Sequence, residues 1–115
     1  MFKLVTIPQL TWADTETAAQ TVNLFDRGQV SQISVKVNDN TGNRTVQVTI
    51  SDENAGQLYD KSLIPENAVT VYHATKDTED FHEFVIGPGC TLKVTPSGDP
   101  GASGLEVDIV LGMEE

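Results

Sequence analysis

The sequence predicts an all-β fold: a single antiparallel β-sandwich of jelly-roll type spanning residues 1–115. Three observations carry that reading. Apolar and polar residues alternate with a period of two in many short runs, which puts the branched side chains of each run on one face of a pleated strand. Clusters of Gly, Pro, Asn and Asp separate the runs, as turns require. No stretch shows the i, i+3, i+4 apolar spacing of an amphipathic helix.

A chain of 115 residues is one domain, and a domain of this size buries roughly two-thirds of its unfolded surface without needing a metal or disulfide staple. Its one cysteine, Cys90, cannot form an internal bridge. Cys90 alternates with Leu92 and Val94, which reads as a small buried hydrophobe.

Taken in order, Phe2 to Pro8 is a short strand whose apolar points are Phe2, Leu4 and Ile7, closed by Pro8. A terminal strand of this kind suits an edge, where it can extend a neighbour's sheet, so Phe2, Leu4 and Ile7 are the candidate partner-contact residues. Leu10 to Trp12 continues it, with Trp12 as a core anchor. Thr21 to Phe25 returns to strand and ends at the turn Asp26-Arg27-Gly28.

Ser31 to Ser51 is the strongest signal. Ile33, Val35 and Val37 alternate with polar residues, Asp39-Asn40-Thr41-Gly42-Asn43 forms a turn, and Val46, Val48 and Ile50 alternate in turn. This reads as an antiparallel hairpin with one apolar face. Gln57 to Asp60 is a short strand, Ser62 to Asn67 a loop interrupted by Pro65, and Ala68 to His73 a strand with Val69 and Val71 inward. Ala74 to Glu83 is strongly polar. Phe84 to Ile86, Cys90 to Thr95, and the run of Leu105, Val107, Ile109 and Leu111 complete the strands, the last two separated by the Gly/Pro-rich turn Ser97 to Gly104. The expected core is Ile33, Val35, Val37, Val46, Val48, Ile50, Val69, Val71, Leu92, Val94, Val107 and Ile109.

Seven basic against seventeen acidic residues give a net charge of −10. The second half, from residue 58, carries −8 of it. Such a chain repels nucleic acid and anionic membranes, so neither is an expected partner. No apolar run is long enough to span a bilayer, and Met1-Phe2-Lys3 does not open like a signal peptide, which leads us to expect synthesis and folding in a cytoplasm.

Chemistry-bearing patterns are sparse. No serine sits in a Gly-x-Ser-x-Gly turn. His73 and His82, with Asp77, Glu79, Asp80 and Glu83 between or beside them, match no zinc spacing and read as a solvated acidic loop. Asp39 to Asn43 resembles the start of a calcium loop, but Ile50 occupies the position of the closing carboxylate. We therefore expect no catalytic residues, no metal and no cofactor. One ligand-binding reading stays open, in which Trp12, Tyr59 and Tyr72 stack on sugar rings in a carbohydrate-binding or adhesin-type module.

The phrases Leu10-Thr11-Trp12-Ala13-Asp14 and Ala19-Gln20-Thr21-Val22-Asn23-Leu24-Phe25 resemble the opening of small β-sandwich accessory proteins of tailed bacteriophages. Ile64 to Ala68 and Thr95 to Gly104 are similar in the same way. The resemblance implies a non-enzymatic structural virion protein, a head decoration or cement protein on the capsid exterior. It further implies the major capsid protein or another virion protein as partner, a homo-oligomer with a trimer favoured, and synthesis in the host bacterial cytoplasm.

Overall fold

Strands β1 (Phe2–Thr6), β2 (Leu10–Trp12), β3 (Gln20–Leu24), β4 (Gly28–Val37), β5 (Val46–Asp52), β6 (Gly56–Ile64), β7 (Ala68–His73), β8 (Phe84–Ile86), β9 (Cys90–Pro96) and β10 (Leu105–Glu114) make up the fold. The computed structural model describes residues 1–74 and 82–115, and among these no helix occurs. The strands divide between two antiparallel sheets. Sheet A runs β1–β10–β4–β7, with β2 extending β1 along β10 and β8 pairing with the start of β4; sheet B runs β3–β9–β5–β6.

The pairing is that of a wound ribbon. β2 pairs with β10, β3 with β9, β4 with β7, and β5 with β6. The first half of the chain thus folds back on the second, and successive pairs of the ribbon alternate between the two sheets. The additional pairs β10–β4 and β9–β5 close each sheet. This is the jelly roll. At the ribbon's tip Asp52 Oδ2 accepts from the amides of Asn54 and Ala55, and Gly56 takes a φ of +84°.

The expected hairpin over Ser31–Ser51 does not form. β4 lies in sheet A and β5 in sheet B, facing each other across the core. Two consecutive strands with one apolar face each can cover those faces by pairing side by side or by stacking, and alternation alone does not distinguish the two. The loop decides. The buried Asn40 side chain accepts from Arg44 N at 2.7 Å and donates to Arg44 O at 3.1 Å, and together with the turn bond from Asn43 N to Asn40 O it folds residues 40–44 on themselves. Neighbouring loops lock onto it: Glu66 accepts from Asn40 N, Thr41 and Ser103 exchange hydrogen bonds, and Arg44 Nε donates to Asp99 O.

Val69 and Val71 face outward, contrary to expectation. β7 pairs with β4 so that Ile33, Val35 and Val37 stand opposite Tyr72, Thr70 and Ala68. Opposed residues of an antiparallel pair point to the same side of the sheet. Since Ile33, Val35 and Val37 fill the core, parity sends Val69 and Val71 to the other face. The other ten expected core residues are buried. Ser62 to Ile64, expected as loop, continues β6. A bulge there brings Ile64 into the core opposite Val46 and turns Leu63 outward at a φ of +58°.

Candidate functional site: the outer face of sheet A

Cross-strand register makes the outer face of sheet A a grid. One row reads Phe2, Glu114, Gln29, Val85; the next Leu4, Gly112, Gln32, His73; the third Thr6, Val110, Ser34, Val71; the last Asp108, Lys36, Val69. Phe2 (49 % exposed), Leu4 (63 %), Val69 (60 %), Val71 (43 %) and Val85 (68 %) project from it into solvent. Large exposed apolar side chains elsewhere among the described residues are Met1, Phe25 and Leu63, at a terminus, a loop and a bulge. The apolar groups therefore stand along the two flanks of the face, with Gly112, Ser34, Gln32 and Val110 between them. The Phe2 ring leans over that floor: a Cβ at position 112 would lie 2.9 Å from its Cζ.

The outer face of sheet B differs in kind. Its rows are Thr21, Lys93, Thr49, Asp60 and Asn23, Thr91, Ser51, Gln57, joined by Thr95 and Gln47. Hydroxyl and amide groups dominate it, so water solvates it at no penalty.

Charge frames the apolar face. Glu106 and Asp108 lie at one end of β10 and Glu114 at the other, and Glu83 sits beside β8, where Gln29 Nε2 donates to it at 2.6 Å. Lys36 is the one lysine or arginine in the grid. The N-terminal ammonium lies 3.3 Å from Glu114 Oε2, which ties the two chain ends together at the Phe2 corner.

Of the three sequence-predicted contact residues, Phe2 and Leu4 belong to this face and Ile7 does not. Ile7 is 4 % exposed, its amide bonds to Ile109 O, and it joins the core. Parity explains the difference: Ile7 is an odd number of residues from Phe2 and Leu4 and lies against the core residue Ile109, so it points to the other side of the sheet. β1 itself covers the edge of its own sheet, pairing over Phe2–Thr6. The pointer to Val69, Val71 and Val85 that the sequence did contain is that a strand at a sheet edge carries valines whose parity its neighbour sets.

The remaining candidates are spent inside the fold. Trp12 is buried and its Nε1 donates to Ala18 O at 2.7 Å. Tyr59 is buried and stacks on Phe84 with centroids 5.9 Å apart, and the Lys61 ammonium lies 5.2 Å above the Tyr72 ring. These three aromatics form no exposed stacking platform. Cys90 is buried; burial pushes its thiol up from the ordinary range, and Sγ donates to Asp52 Oδ1 at 3.5 Å. An uncharged, covered thiol is a poor nucleophile. Among the described residues no three His, Cys, Asp or Glu side chains gather as metal ligands. Asp77, Glu79 and Asp80 of the expected acidic loop lie outside the described residues.

No family model matches the chain, and no curated protein matches it. Solved structures do match. A chain of the T13 IBDV viral particle is 10 % identical over 98 % of this chain and 31 % of its own length, with a TM-score of 0.44. A chain of the infectious bursal disease virus Gx strain is 10 % identical over 99 % of this chain and 32 % of its own length, with a TM-score of 0.40. The chain thus spans under a third of the length of both. Likeness this slight carries no function across.

Proposed function

We propose that this chain is a non-enzymatic structural protein of a tailed-bacteriophage virion, a decoration or cement protein that docks on the capsid exterior. The observation that supports this reading is the gathering of Phe2, Leu4, Val69, Val71 and Val85 on one sheet face, while the chemistry-bearing side chains Cys90, Trp12 and Tyr59 are buried. Exposed apolar side chains gathered on one face of a folded domain mark a surface that meets another macromolecule. The sequence resemblance to phage accessory proteins supplies the class of assembly. The proposal includes the major capsid protein as partner and a symmetric homo-oligomer, a trimer on three-fold lattice sites, where repetition multiplies weak contacts. Synthesis takes place in the host cytoplasm before assembly.

Co-sedimentation of the purified chain with phage heads lacking accessory proteins tests this, with light scattering for the oligomer. Saturable binding that Val71→Asp abolishes is expected. A chain that stays monomeric and does not pellet with heads would remove the proposal.

A further inference from the structure

We propose that the outer face of sheet A docks on a protein surface of defined chemistry: apolar side chains that meet its two flanks, bordered by Lys and Arg. This deepens the docking reading above and rests on it, but the chemistry of the partner surface follows from charge and area.

The face is apolar along both flanks and acidic at its margins. Glu106, Asp108, Glu114 and Glu83 border it, against Lys36 and the N-terminal ammonium that pairs with Glu114. A complementary surface offers apolar side chains to Leu4, Val71 and Val85, and cations to the border, with one acid to meet Lys36. Complementary potentials of this kind fix orientation and speed encounter. Anionic membranes and nucleic acid present the wrong sign. A second copy does too, since it brings the same acidic border on a body of net charge −10. Area points the same way. Four strands about 4.8 Å apart, presenting about seven residues at about 3.3 Å each, offer roughly 450 Å², about half of the ~800 Å² that each partner buries in a standard interface. The face alone makes a weak contact, suited to a partner that repeats it by symmetry.

The test uses the full ¹⁵N-labelled chain and two short probe peptides, one alternating Val with Lys, the other Val with Glu. The Lys peptide is expected to shift the amides of Leu4, Val71 and Val85, and the Glu peptide to leave them in place. The shifts should disappear in Val71→Asp. They should weaken roughly tenfold in affinity in the double variant Glu106→Lys with Glu114→Lys, and also on raising salt several-fold. Equal binding of both peptides, or shifts on sheet B, would overturn the inference. So would concentration-dependent shifts on the same residues without peptide, which would make a second copy the occupant. Phage heads separate this from the function proposed above. Head binding that is indifferent to the charge reversals overturns the inference and leaves the virion reading standing. Peptide shifts as expected, without head binding, do the reverse. Thermal melting of each variant confirms that it is folded.

Discussion

Val35 and Val71 sit on neighbouring strands of sheet A, one residue out of step: Ser34 faces Val71 and Val35 faces Thr70. The same substitution, valine to aspartate, should therefore have opposite consequences. At Val35, fully buried between the sheets, it removes about 1.5–2 kcal/mol of apolar burial and strands a carboxylate without a partner, at a cost of several kcal/mol more. The sum is about 4–6 kcal/mol, against a total stability of about 5–15 kcal/mol for a domain of this kind. At Val71, which is 43 % exposed, the carboxylate stays in water and the loss is below about 1 kcal/mol. Circular dichroism melts should show Val35→Asp unfolded at room temperature or lowered by about 20 °C or more, and Val71→Asp within about 5 °C of the parent. Equal losses would refute the register and, with it, the proposed docking face.

Three further outcomes follow from the loops and the β6 bulge. Asn40→Ala leaves both backbone groups of Arg44 without their side-chain partners and should cost about 2–3 kcal/mol in urea denaturation; a loss under half a kcal/mol would mean water replaces the amide freely. Leu63→Asn relieves a bulky residue at a positive φ and should stabilise by about 0.5–1 kcal/mol in the same assay, while a destabilised variant would show that the Leu63 conformation is not strained. Asp99 accepts from the amides of Thr15 and Gly101, hydrogen bonds that hold its carboxyl below the usual carboxylate range. A lowered folded-state value contributes stability that is fully present above the ordinary aspartate range and is lost as pH falls from there through the lowered folded value. The stability gap between the parent and Asp99→Asn should then close below about pH 4, and a gap that ignores pH would discount those two bonds.

The strands were legible one by one because each carries its own apolar parity and its own turn residues. Ala68–His73 and Phe84–Ile86 were located to the residue from composition alone. The exposed apolar face was half legible: Phe2 and Leu4 stood out as apolar points on a terminal strand, but Ile7, grouped with them, has the opposite parity and is core. Trp12 and Cys90 read correctly as buried, since large aromatics and free thiols gain most from exclusion of water.

Local pattern thus determined the all-β class, the strand positions and most of the core in β4, β5, β9 and β10. Tertiary structure alone decided which strands share a sheet and which side of an edge strand faces in. Alternation is blind to both. Period two says that Val69 and Val71 share a face with each other; only pairing against Ile33, Val35 and Val37 says that this face is the outer one. Likewise β4 and β5 each had one face to bury, and it was the Asn40 loop, held by Glu66, Ser103 and Asp99 from distant parts of the chain, that stacked them across the core instead of pairing them. Contacts between residues far apart in sequence leave no periodicity to read. The outer face of sheet A is such a product, assembled from β1, β10, β4, β7 and β8 only when the ribbon closes.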